Sequence, residues 1–178
     1  ITVADGGEGT TDAVLSAVKG KKITVKVHDP LWNQISSSYG MLDEKRAVME
    51  MAAASGLPLV PEEKRDPRLA TTFGTGEMIA DALDKGFRDI SIAIGGSATN
   101  DGGIGCIRAL GGKFLDKNGH ELKGCGADLI KINRIDLTNM NPLIKECQFT
   151  IMCDVTNSLC GEEGATYTFG KQKGATPE

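Results

Sequence analysis

Ile94-Gly95-Gly96-Ser97-Ala98-Thr99-Asn100-Asp101-Gly102-Gly103 joins a strand pattern to a helix pattern, and its reading decides the fold. Ahead of it Ile90, Ile92 and Ile94 alternate with small Ser91 and Ala93, which predicts a short strand packed on both faces. Behind it Ile104, Ile107 and Leu110 recur at helical spacing until Gly111-Gly112 stop the helix. A strand, a glycine-rich turn and a helix in that order make an α/β unit whose turn faces a ligand. Glycines let a ligand approach the backbone, and the free N–H groups of a helix's first turn attract negative charge. Asp101 stands as an acceptor among those donors; its plain reading is a helix N-cap. Four glycines, two hydroxyls, an amide and a carboxylate within nine residues exceed what a cap needs. The loop carries neither the G-x-G-x-x-G of dinucleotide enzymes nor the G-x-x-x-x-G-K-[ST] of P-loop enzymes.

Two further glycine-rich helix openings repeat the pattern. Asp5-Gly6-Gly7-Glu8-Gly9 precedes a helix capped by Thr10 or Thr11, with Val14, Leu15 and Val18 apolar and Gly20 as the stop. Phe73-Gly74-Thr75-Gly76-Glu77 opens a helix carrying Met78, Ile79, Ala82 and Leu83 before Gly86. Ile23, Val25 and Val27, a turn over Asp29 to Asn33, and Ile35 to Leu42 predict a hairpin exposed on one face. Ala47 to Met51 is strand-like and runs into the helix-forming Ala52 to Ser55, with Glu50 at the junction needing solvent or a partner. Glu62 to Arg68, punctuated by prolines, reads as a solvated loop, and 123–142 as irregular structure with short helices. Phe149 to Cys153 is a strand that delivers Asp154 and Asn157 to its C-terminal end, the edge where parallel α/β sheets hold ligands. Near the end, Lys171 and Lys173 offer two cations.

The 178 residues, 40% apolar, suffice for a sizeable core, and with only 4% aromatics that core is aliphatic. A net charge of −4 from 20 basic and 24 acidic residues argues against nucleic-acid and membrane partners. Five cysteines without a C-x-x-C pair fit free thiols in a reducing compartment, so cytoplasm is the expected location. His28 and His120 read as separate surface residues, too few for a histidine-based zinc site or a Ser-His-Asp triad. The non-Met start at Ile1 and the helix-opening Thr176-Pro177-Glu178 suggest a piece of a longer polypeptide.

In order along the chain, Ala4-Asp5-Gly6-Gly7-Glu8-Gly9-Thr10, Glu50-Met51-Ala52-Ala53-Ala54-Ser55-Gly56-Leu57, Gly74-Thr75-Gly76-Glu77, Ile94 to Gly103, Cys153-Asp154-Val155-Thr156-Asn157 and Gln172-Lys173-Gly174-Ala175 resemble blocks of the bacterial glycerate kinase family. The resemblance covers nearly the whole chain; Ser158 and Lys171 depart from it, since the family usually has Pro at both positions. It implies a mixed sheet with flanking helices, resembling the inserted, restriction-endonuclease-like domain of these two-domain enzymes with parts of their flavodoxin-like domain. On that reading 1–178 is one principal α/β domain of a longer two-domain chain, and 1–20 and 160–178 are flanking or linker segments.

The implied activity is ATP-dependent phosphorylation of D-glycerate to 2-phosphoglycerate, with ATP and Mg²⁺ as cofactors. The isolated piece is expected to be inactive, and to self-associate through surface that the missing half of its own chain covers. The rival reading is a non-catalytic module that binds a phosphorylated metabolite. Phosphoryl transfer needs cations and backbone donors against the phosphate charge, and a carboxylate to orient or deprotonate the acceptor hydroxyl. The candidate catalytic carboxylates are Asp5, Glu8, Asp101 and Asp154, with no base chosen among them and no metal ligands assigned. The expected substrate and phosphate contacts are Gly6, Gly7, Gly95, Gly96, Ser97, Thr99, Asn100, Gly102, Gly103, Asn157 and Lys173. Lys173 is the first choice for an anion contact, Lys171 the second.

Overall fold

The computed structural model describes residues 7–176. The candidates Asp5 and Gly6, the initial strand pattern and the residues after Thr176 lie outside that range. In chain order the elements are α1 (Thr10–Val18), β1 (Lys21–His28), β2 (Gln34–Met41), β3 (Arg46–Glu50), α2 (Ala52–Ser55), α3 (Phe73–Asp84), β4 (Asp89–Ala93), α4 (Ile104–Ala109), β5 (Lys113–Leu115), β6 (Arg134–Asp136), β7 (Gln148–Met152) and α5 (Ala165–Phe169). Short 3₁₀ turns fill several connections, among them 126–131 and 171–173.

One five-stranded sheet runs in the order β1-β2-β3-β4-β7. β1, β2 and β3 are antiparallel neighbours, whereas β3, β4 and β7 run parallel, so the sheet is mixed with flanking helices as expected. The parallel half has a consequence for function. Its three strands end on the same edge, and the residues that follow Glu50, Ala93 and Met152 are therefore gathered there. β5 and β6 pair in a separate ribbon, of which β6 lies inside the stretch read as irregular. That pairing is non-local, and Arg134–Asp136 is too short for its period to show in sequence.

The core lies between the sheet and α3. Met78, Ile79, Ala82 and Leu83 on the helix meet Val27, Tyr39, Met49 and Ile90 of the strands, all buried. Side chains of a strand alternate, so the residues between these project to the opposite face, where Leu15 of α1 packs against β2 and β3. Tyr39 keeps its hydroxyl protonated: burial, then the hydrogen bond to Asp81 (2.7 Å), raise its pKa. Gly76 sets how closely α3 and α4 approach, because a Cβ there would stand 2.7 Å from that of Ala109. A smaller cluster of Ile104, Phe114 and Leu122 closes the far side of α4.

Neither Thr10 nor Thr11 caps α1. Its N-cap is Gly9, in the left-handed region at φ 85°, and the Thr10 hydroxyl donates instead to the Gly7 carbonyl at 2.8 Å. The cap comes from across the fold: Glu50, at the end of β3, accepts from the Gly9 N–H (3.2 Å) and the Thr11 N–H (2.5 Å). This is the partner that a buried carboxylate at that junction requires, and the helix's positive end favours its charge. His28 also departs from the surface reading; it is half-buried, with Nδ1 2.9 Å from Glu77 and its ring among those of Trp32 and Phe73.

Glu50→Ala leaves two helix N–H groups without their acceptor and should cost about 2 kcal/mol of stability. Urea unfolding checks this, and a variant within about 0.5 kcal/mol of the parent would show that α1 is held by packing alone.

Candidate functional site

Glycines and a carboxylate meet at the C-terminal edge of the parallel strands. There Gly7, Gly95, Gly96, Ser97, Asp154 and Lys173 line one side or another of an open cleft of about 320 Å³, with Val155, Phe169 and Gln172 completing its walls. Gly95 and Gly96 lie just past the end of β4, and Asp154 just past the end of β7, so adjacent parallel strands present a backbone loop and a carboxylate side by side. Gly96 has φ 71°, a conformation a side chain resists, and a Cβ there would stand 3.8 Å from Glu8 Oε1. Glu8, exposed, thus lies beside the glycine loop, although it does not itself line the cleft.

Lys173 is the cation of this cleft. Its ammonium donates to Ser97 Oγ at 2.8 Å and to the Thr99 carbonyl at 2.6 Å, which fastens the 171–173 turn to the glycine loop. Two of its three protons are used, and one remains to meet a ligand. Burial lowers its pKa below the ordinary lysine value, opposed by the negative charge of Asp101. A cation stripped of water in this way gains most from an anion that enters beside it. Lys171 is exposed and outside the cleft.

Asp101 has a different place from the other acids. It is 1% exposed and does not line the cleft. Its Oδ2 accepts from the Thr72 N–H (2.8 Å), the Thr72 hydroxyl (2.8 Å) and the Gly105 N–H (3.2 Å), and its Oδ1 from the Gly103 N–H (3.0 Å). The Thr72 hydroxyl in turn accepts from the Cys106 N–H at 2.8 Å. The carboxylate therefore binds the starts of α3 and α4 together, which is more than an N-cap; the N-cap of α4 is Gly103. Its charge, after burial, helps push the Cys106 thiol up to about 12.

Other expected contacts divide between the cleft and its frame. Thr99 is buried and gives Lys173 its carbonyl, while Gly102 and Gly103, at φ 60° and 79°, carry the chain into α4. Asn100 donates to Thr166 Oγ1 at 3.0 Å, and Asn157 to the Glu163 carbonyl (2.9 Å) and Thr168 Oγ1 (3.2 Å). Both amides thus brace the segment around α5. Phe169 and Gln172 line the cleft without having been singled out as contacts, Gln172 despite lying in a quoted block. No periodicity marks them, because α5 is only five residues long.

Among the described residues no group of three or more His, Cys, Asp or Glu side chains is gathered to hold a metal ion by protein ligands alone. Mg²⁺ does not require such a cage, since it is commonly held by one or two carboxylates together with substrate phosphates. Asp154, an oxygen donor lining the cleft, with exposed Glu8 beside Gly96, fits that demand. No described helix is long and apolar enough to cross a membrane.

Comparison with known proteins bears on this arrangement. Residues 1–178 match the sequence profile of the glycerate kinase family. The chain is 50% identical over 177 residues to the glycerate 2-kinase of Escherichia coli K12, covering 99% of this chain and 46% of that protein. With the glycerate kinase of Bacillus subtilis 168 it shares 48% identity over 179 residues, 100% of this chain and 47% of the relative. A crystal structure from Salmonella typhimurium LT2, assigned as glycerate kinase 2, superposes with a TM-score of 0.94 at 46% identity, covering 98% of this chain and 48% of that one. The chain therefore spans about half the length of the relatives it matches.

Replacing Asp101 should expose its framing role. Asp101→Ala strands four donors, three of them buried, and should cost about 3 kcal/mol or more. Asp101→Asn keeps one oxygen but turns an NH₂ toward N–H groups, and should cost about 2 kcal/mol rather than being tolerated. Chemical unfolding of both variants measures this; an Asn variant as stable as the parent would reduce the residue to a simple cap.

Proposed function

The chain belongs to the glycerate kinase family, and from that premise we infer that the family-length protein carrying it phosphorylates D-glycerate with ATP and Mg²⁺ in the cytoplasm, releasing 2-phosphoglycerate. The observation that carries this reading is the desolvated Lys173 ammonium held on the glycine loop, in one cleft with Asp154 and beside Glu8. In the transfer an acceptor hydroxyl oxygen of glycerate attacks the terminal phosphorus of ATP. The bridging P–O bond breaks, ADP leaves with its electron pair, and the hydroxyl proton passes to a carboxylate.

Each part of that reaction has a group suited to it. The N–H groups around Gly95 and Gly96 and the free proton of Lys173 meet the phosphoryl oxygens, whose charge builds up as the bond breaks. Asp154 and Glu8 are the open carboxylates, suited to the proton and to Mg²⁺, which when bound supplies charge neutralisation to the phosphates. Asp101 acts through position: it holds the loop against α3 and keeps negative charge near the Lys173 ammonium. Residues 1–178 alone are expected to lack appreciable turnover, because they span about half of the length that the active relatives' names refer to.

ATP consumption that requires both glycerate and Mg²⁺, with phosphorus NMR showing 2-phosphoglycerate, tests the assignment. Nucleotide or phosphometabolite binding without any turnover would favour a binding module instead. Lys173→Ala should reduce turnover, or raise the substrate requirement, about tenfold or more, roughly 1.4 kcal/mol. Lys171→Ala, at an exposed position where the family usually has Pro, should change little. The pH dependence follows from the lowered pKa of Lys173. Below that value the ammonium is present, and as pH rises through it the anion contact is lost, earlier than for an ordinary lysine. Phosphate binding should therefore weaken at high pH in the parent, and this dependence should vanish in Lys173→Met.

A further inference from the structure

A second cleft, of about 330 Å³, lies behind α5 and the 171–173 turn, with Asp66, Arg68, Asn100, Thr166 and Gly174 in its lining. The wall between the two clefts is one residue thick. Ala165 lines the first and Thr166 the second; Lys173 lines the first and Gly174 the second. Consecutive Cα atoms are about 3.8 Å apart. The glycine loop crosses in the same way, from Ser97 on one side to Asn100 on the other.

Resting on the kinase reading above, we propose that this second cleft seats the small hydroxy acid, while the first seats the phosphates of the nucleotide. A two-substrate transfer needs two neighbouring seats, and these have different chemistry. The first offers glycine backbone, an ammonium and open carboxylates, which suit a polyphosphate and its counter-ion. The second offers a guanidinium and side-chain amide and hydroxyl groups, which suit one carboxylate and a pair of hydroxyls.

Arg68 is prepared for that task. Its Nε and Nη2 are held by Asp66, at 2.9 Å and 2.7 Å, which fixes the plane of the guanidinium and leaves Nη1 to bind a carboxylate. The Asp66 carboxylate is itself oriented by the Arg68 N–H at 2.9 Å. Across the cleft, Thr166 Oγ1 accepts from Asn100, so its own proton is free to donate and the Asn100 Oδ1 is free to accept from a substrate hydroxyl. Both partners of that hydrogen bond line the second cleft.

Solvated-loop character was the expectation for 62–68, and the 3₁₀ turn at Glu62–Lys64 is exposed as expected. Arg68 is exposed as well, whereas Asp66 is half-buried, and the fold brings Gly126 and the 174–176 segment beside them. Arg68 thus becomes a specificity-determining residue in the proposed seat.

Steady-state kinetics of the family-length protein, varying D-glycerate and ATP separately, test the proposal. Arg68→Met should raise the KM for glycerate about tenfold or more, leave the KM for ATP within about twofold, and leave the unfolding midpoint unchanged. Arg68→Lys should recover part of the loss. A glycerate KM unchanged in Arg68→Met, or glycerate and ATP KM values rising together, would overturn the second seat while leaving the kinase reading intact. If the unsubstituted protein consumes no ATP in response to glycerate, the kinase reading fails and the seat fails with it.

Discussion

The arrangement depends on one buried carboxylate. Asp101 accepts four hydrogen bonds from Thr72, Gly103 and Gly105, and so ties the start of α3 to the start of α4. A buried charge without such partners would cost several kcal/mol, which makes the donors a condition for the loop's path rather than an addition to it. With the loop fixed there, Ser97 and the Thr99 carbonyl stand where Lys173 reaches both. The distant 171–173 turn is thereby closed over the C-terminal edge of the sheet. Charge balance links the two residues as well, since the negative Asp101 offsets part of the desolvation of Lys173.

Sheet direction does the remaining positioning. Because β3, β4 and β7 are parallel, the three connections after them emerge together, and each brings something different: Glu50 caps α1, the loop after β4 offers glycine N–H groups, and the loop after β7 offers Asp154. The antiparallel β1 and β2 extend the sheet away from this edge and serve the core, where Val27 and Tyr39 face α3. Both halves of the sheet thus build the core, and only the parallel half positions the cleft. The connection closing the cleft is correspondingly slight, being α5 and a 3₁₀ turn with no side chain fully buried in either.

Asp101 and Glu50 show how far the acids of this chain differ in role. Each glycine-rich opening holds an acidic residue near a helix start, and by local chemistry all are equivalent N-terminal charges. In the fold, Glu50 reaches α1 from another strand, Asp101 is enclosed, and Asp154 stays open to solvent. Only the last lines the cleft, with Glu8 beside Gly96 at its glycine loop.

Much of this was legible in the residues themselves. Alternation in 90–94 and in the 23–42 hairpin marked strands, helical spacing in 78–83 marked α3, and glycine with hydroxyl and amide groups marked the loop that lines the cleft, because these patterns are properties of neighbours in the chain. Several blocks in register also identified the family, and the inclusion of Lys173 in one of them singled it out from Lys171. What sequence left open is pairwise and long-range. Whether an acid is a cap, a bracket or an exposed base depends on which donors arrive from residues 29 to 41 positions away, as for Asp101 with Thr72 and Glu50 with Gly9. The β5–β6 ribbon, the wall between the clefts and the exposure of Arg68 were decided in the same way. Burial and hydrogen-bond partners are set by the packing of distant segments, and no local pattern encodes them.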